Sequence, residues 1–123
     1  MLRSTKSTLY EKMGGDETIR AAVHDFCNRM LLDDRVNHHF IGINVDSLRK
    51  NMTTFFMSWA LNGKPFDQFS LRKAHAGLNI TSEEYNIAVK HMVESLRTCN
   101  VDLEDIARVE AYLRFIKPHI IHK

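Results

Sequence analysis

Apolar residues return along this chain at the spacing of one helix face. Behind a glycine pair at 14 and 15, Ile19, Ala22, Val23, Phe26, Cys27 and Met30 share a stripe, which predicts an amphipathic helix with Asp16 as its N-cap. A single turn of helix is predicted within "DRVNHHF" at 34 to 40. In "NVDSLRKNMTTFFMSWALNG", Leu48, Met52, Phe55, Phe56 and Trp59 give a second helix an unusually large apolar face before Gly63 and Pro65 break it. A brief helix capped by Ser70 and ended near Gly77 carries His75 on a stripe with Leu71, Ala74 and Leu78. Thr81 and Glu84 form a capping box that opens a long helix to about Cys99, with Tyr85, Ala88, Val89, Met92 and Leu96 facing inward. Asp102 caps a final helix whose inner face is Ile106, Val109, Leu113, Ile116 and Ile120, with Pro118 loosening the last turn. Strand-like alternation is absent, so the fold class is all-α in one domain, residues 8–123, behind a flexible leader at 1–7.

Composition narrows the function classes. The chain has 123 residues, enough to bury an ordinary core, and 44% apolar with 26% charged residues is the balance of a soluble globular protein. The longest apolar run, "FFMSWAL", is far short of the roughly 20 residues of a membrane span. Basic and acidic residues, 17 against 15, are scattered along the chain, so neither nucleic acid nor a membrane surface is an expected partner. The expectation is a cytoplasmic monomer. Cys27 and Cys99 lack the C-x-x-C spacing of a redox or zinc motif and read as buried, reduced thiols.

Nucleophilic hydrolysis and phosphate chemistry find no support, because the chain has no G-x-S-x-G turn and no Lys-Ser/Thr after its diglycine. The acidic pairs at 16 and 17, 33 and 34, 83 and 84, and 104 and 105 sit at helix starts or turns, where they complement the helix dipole. Among seven histidines, His38 and His39 are adjacent and do not readily face one metal, His119 and His122, three apart, read as charge near a helix end in preference to a weak surface metal site, and His24 and His91 carry no assigned chemistry. His75 alone has apolar neighbours on both turns. An inward imidazole bonds a carbonyl or ligates a metal, and haem iron needs one such ligand beside a flat apolar slot. Two aromatic-rich helices and one inward histidine supply that inventory.

The residues that carry a family likeness are "LYEKMGG" at 9 to 15, Phe40 closing "VHDFCNRMLLDDRVNHHF", the "FFMSWALNG" stretch, and the His-Ala-Gly-Leu of "KAHAGLNITSEEYNIAVKHMVESL". Over about residues 8 to 122 the chain resembles the group I truncated haemoglobins, globins with a two-over-two helical sandwich around haem. That resemblance implies haem b (iron protoporphyrin IX) ligated by His75, and Phe40 wedged against the porphyrin. It places Leu48, Met52 and Cys27 in the distal ligand pocket, and makes Phe55, Leu71, Arg72, Leu78, Tyr85 and Met92 further haem contacts, with Arg72 toward a propionate. A one-residue shift of the third helix substitutes Arg49 and Thr53 for Leu48 and Met52; periodicity favours the leucine register, which keeps the arginine off the haem.

Where group I members usually carry a Phe-Tyr pair, this chain has Phe26-Cys27, so a phenol donor is replaced by a weaker thiol and fast oxygen release is expected. His119 lies near the place where some cyanobacterial members carry a histidine bonded to a haem vinyl group. The implied ligands are O2, NO and CO, for oxygen storage or transport or for NO detoxification; the enzymatic reading, NO dioxygenation, requires an electron-donating reductase. A cofactor-free helical interaction module and a peroxidase-like haem redox protein are the alternative readings, the latter lacking a distal acid-base group in the leucine register.

Overall fold

A computed structural model describes residues 8–56 and 68–123 of the chain. Within them are α1 (Leu9–Met13), α2 (Gly15–Leu31), a 3-10 turn (Asn37–Phe40), α3 (Val45–Phe55), α4 (Gln68–Ala74), α5 (Ser82–Thr98), α6 (Leu103–Ile116) and a second 3-10 turn (Lys117–His119). No strand occurs among the described residues, and none of their helices is long and apolar enough to cross a membrane. Trp59, Gly63, Pro65 and the 1–7 leader lie outside the described residues.

Helix α2 packs against α3 on one side and most extensively against α5 on the other, and α5 packs against α6. The result is one helix pair laid over another. Every member of the α2 stripe, Ile19, Ala22, Val23, Phe26, Cys27 and Met30, is buried, as are Val109, Leu113 and Ile116 of α6. Val23, Val36, Val109 and Ile116 are fully enclosed, each stabilising the fold by roughly 1.5–3 kcal/mol relative to exposure.

The boundaries differ from the sequence expectation at three points. The N-cap of α2 is Gly14, not Asp16: its left-handed φ of 114° ends α1 and starts α2 in one residue, leaving no room for a side-chain cap, and Asp16 instead accepts from the Tyr10 hydroxyl. Helix α4 already contains Gln68, so Ser70 sits inside it rather than at its cap. Its last residue is Ala74, which puts His75 in the turn just beyond, still tied to the helix by its backbone N–H bonding the Leu71 carbonyl at 3.2 Å. The capping box at Thr81 is present in full: its hydroxyl accepts from Glu84 N–H, and Glu84 reaches back to the Thr81 N–H. Asp102 is the N-cap of α6 by position but makes no side-chain capping bond.

One element does not behave like the rest. None of the residues of α3 is buried, although Leu48, Met52 and Phe55 form an apolar stripe along it. These side chains are half-buried among the described residues. Met52 and Phe55 pack against the core from this helix, and the described residues leave part of its apolar face open.

Candidate functional site

That face borders a cavity of about 720 Å³. Protein interiors are close-packed, and a void of this size lies well within the range of ligand pockets, roughly 300–1,000 Å³. Helix α3 contributes Leu48, Asn51, Met52 and Phe55, the i, i+3, i+4, i+7 set of one helix face. Helix α2 contributes Phe26 and Met30, and the segment between them Val36, His39, Phe40 and Ile43. Opposing walls come from Leu71, Ala74, His75 and Leu78 around the end of α4 and from Glu84, Tyr85, Ala88, Val89 and Met92 on α5. Leu113, Ile116 and Ile120 add the C-terminal region. Among the described lining residues the polar side chains are few: His39, Asn51, His75, Glu84 and the Tyr85 hydroxyl, which is satisfied by donating to the Leu113 carbonyl at 2.6 Å. Burial pushes the Tyr85 hydroxyl well above its ordinary range, so it stays neutral.

His75 is held in a defined orientation. Its ring Nδ1–H donates to the Leu71 carbonyl at 2.8 Å, and because a carbonyl only accepts, the tautomer follows: the lone pair is on Nε2. This is the arrangement that orients a metal-ligating imidazole and raises its basicity. The loop after it is pinned from the C-terminal end, where Gly77 and Asn79 N–H groups bond the Lys123 carbonyl at 3.1 and 2.9 Å and His122 N–H bonds Ile80 at 2.8 Å. Gly77 at φ 83° and Asn79 at φ 50° supply the left-handed backbone this turn requires.

Of the residues anticipated from sequence, Phe40, Leu48, Met52, Phe55, Leu71, His75, Leu78, Tyr85 and Met92 all line the cavity. Two do not. Arg72 is exposed and its guanidinium Nη2 donates to His119 Nδ1 at 3.1 Å. Cys27 is enclosed in the core beside the lining residues Phe26 and Met30, at 1% exposure. Burial pushes its thiol up, and the neighbouring Arg49, which pulls the other way, does not win. Arg49 itself turns away from the cavity toward α2, donating to Asn28 Oδ1 at 2.8 Å, while Thr53 Oγ1 donates to the Arg49 carbonyl at 2.8 Å.

Sequence reasoning passed over Asn51, His39 and Glu84. Asn51 was detectable, being one turn from Leu48 on the same face; His39 and Glu84 were not, because they meet across 45 residues. His39 Nε2 lies 2.9 Å from one Glu84 oxygen and His38 Nε2 3.1 Å from the other. The Thr81 backbone N–H and His39 hold the Glu84 carboxyl down at about 2 against the opposing effect of burial. His91 likewise has a partner, Asp33 at 2.7 Å, which ties the end of α2 to α5.

The residues present fit a haem. A broad apolar slot, an apolar helix face turned toward it, and one imidazole whose Nδ1 is spent on a carbonyl are what a haem would require of its protein. A model of the bacterial-like globin family matches residues 8–122. The group 1 truncated haemoglobin GlbN of Synechocystis sp. is 31% identical over 110 residues, covering 85% of this chain and 88% of that protein. GlbN of Mycolicibacterium paratuberculosis is 24% identical over 119 residues, 96% of this chain and 87% of its own length. Among solved structures, the truncated haemoglobin of Tetrahymena pyriformis in its Fe(III) form superposes with a TM-score of 0.86 at 25% identity, over 95% of this chain and all of that one. From the cavity, its histidine and these likenesses together, the chain belongs to the bacterial-like globins, among the group 1 truncated haemoglobins, with their two-over-two fold, haem cofactor and binding of diatomic ligands.

Proposed function

We propose that His75 ligates haem b through Nε2 and that the protein takes up and releases oxygen, with carbon monoxide and nitric oxide as further ligands, in a cavity whose α3 wall is mainly apolar. The observation that carries this reading is the Nδ1–H bond of His75 to Leu71, which leaves one imidazole nitrogen available at a cavity wall. Haem iron supplies the coordination site for a diatomic gas and, with a reductase partner returning one electron per turnover, the conversion of nitric oxide and dioxygen to nitrate. The chain's own part is to hold and exclude: Leu71 orients the imidazole, Phe40, Leu48, Met52 and Phe55 cover the porphyrin faces, and the apolar lining keeps bulk water out.

Oxygen release is fast in this reading. Leu48 and Met52 offer no hydrogen bond, and the Cys27 thiol is in the core rather than on the lining. Asn51 is the polar side chain that α3 brings to the cavity, and it is exposed. The test is stopped-flow measurement of oxygen release from the ferrous protein: the reading requires release faster than in a variant given a donor at position 52, and equal rates contradict it.

A further inference from the structure

Two histidines and one glutamate meet at the edge of the cavity. His38 and His39 share one 3-10 turn, and their rings lie 4.2 Å apart, centre to centre, tilted by 38°. Both Nε2 atoms address a single carboxylate: His38 reaches Glu84 Oε2 at 3.1 Å, and His39 reaches Oε1 at 2.9 Å. One donor atom from each of the three lies within 4.8 Å of the others. We propose that His38, His39 and Glu84 bind one divalent ion of the zinc class at a site separate from the haem iron.

The chemistry of the donor set chooses the ion. Two imidazole nitrogens and a carboxylate oxygen suit a borderline cation; calcium and magnesium prefer all-oxygen shells. Around a tetrahedral zinc with bonds of about 2.0–2.1 Å, ligand atoms stand roughly 3.3 Å apart. His38 Nε2, 3.1 Å from Oε2, is already near that value, so closing on an ion requires His39 Nε2 to move from Oε1 toward Oε2 and His38 Nε2, within the 4.8 Å that already encloses the three donor atoms. In the structure each Nε2 donates its proton to the Glu84 carboxylate; on ion binding that proton passes to Nδ1 or to solvent and the Nε2 lone pair takes its place, so no oxidant or reductant enters.

The carboxylate is positioned before any ion arrives. Glu84 Oε1 accepts from the Thr81 backbone N–H at 3.0 Å, while the Glu84 N–H bonds the Thr81 hydroxyl at 3.0 Å. Oε1 thereby holds the side chain in place, and Oε2 is the oxygen left to ligate; an outer bond of this kind tunes a metal site. The site is also open. The His38 side chain is 53% exposed, against 15% for His39 and 17% for Glu84, so an ion enters from solvent on the His38 side and a water completes its coordination. An ion there would fasten the turn carrying Phe40 to the start of α5, two segments that both line the cavity.

Isothermal titration of the haem-loaded chain with zinc chloride, paired with zinc K-edge absorption spectroscopy, tests this. One ion should bind, with a first shell of nitrogen and oxygen at about 2.0–2.1 Å and no sulfur at about 2.3 Å. His38→Ala, at a half-exposed side chain outside the cavity lining, should weaken binding at least about tenfold with the haem spectrum unchanged. Glu84→Gln, which preserves a capping-box residue, should also weaken zinc binding, and His122→Ala should have no effect on it. Absence of binding, sulfur in the first shell, or unaltered affinity in His38→Ala each overturns the proposal.

Discussion

At the scale of single residues, the site rests on how His75 is held rather than on its identity alone. A buried imidazole with both nitrogens engaged is structural; this one spends Nδ1 on Leu71 and keeps Nε2. The same reasoning yields an expectation for the α3 wall. Met52→Gln places an amide donor among apolar neighbours without much change in volume, and one hydrogen bond of about 1 kcal/mol should slow oxygen release by about fivefold in stopped-flow measurements. Cys27 behaves differently. Fully enclosed and pushed toward its neutral form, it contributes packing, and Cys27→Ala should cost about 1 kcal/mol of stability in denaturant unfolding while leaving the haem spectrum in place.

Residue-level legibility followed periodicity. Leu48, Met52, Phe55, Leu71 and Leu78 sit where their stripes put them, on the cavity. Cys27 shares a stripe with Phe26 and Met30 yet stays in the core while both neighbours reach the cavity, because a helix face is wider than one line of residues and a single stripe does not say which edge meets which neighbour. The guanidinium of Arg72 meets His119, a residue 47 positions on that no local pattern links to it.

At the scale of elements, caps and loop ties decide where helices begin. Gly14 ends one helix and starts the next at φ 114°, and a Cβ there would run into the Thr18 side chain. Gly14→Ala should therefore destabilise the fold by more than about 1 kcal/mol, checked by thermal unfolding. That same geometry explains why Asp16 is not the cap, since the residue type that favours capping is present but the backbone has already turned two residues earlier. Asp33 illustrates a tie the sequence did not show: Arg35 and His91 hold its carboxyl far below the ordinary range, with the Arg35 bond the larger cause. A depressed carboxylate stabilises the folded state above its ordinary value of about 3.9, and that stability is lost as pH falls through the lower folded value. Between about pH 5 and pH 2, Asp33→Asn should lose less melting temperature than the wild type, measured by circular dichroism.

At the scale of the molecule, helices α2, α5 and α6 carry most of the buried core, while α3 is half-buried among the described residues and turns its apolar face to the cavity. Haem binding is then also fold completion. A ligand bound by the folded state alone stabilises it by about 4 kcal/mol at a thousandfold excess over its dissociation constant, so haem should raise the melting temperature markedly and protect α3 amides from hydrogen exchange more than those of α2. The absorption spectra of the ferric, ferrous and carbon-monoxide forms, recorded for the wild type beside His75→Ala, test the central claim most directly. The expected result is a haem-loaded wild type with the spectrum of imidazole ligation, lost on removing the His75 ring; identical spectra from both proteins would contradict it.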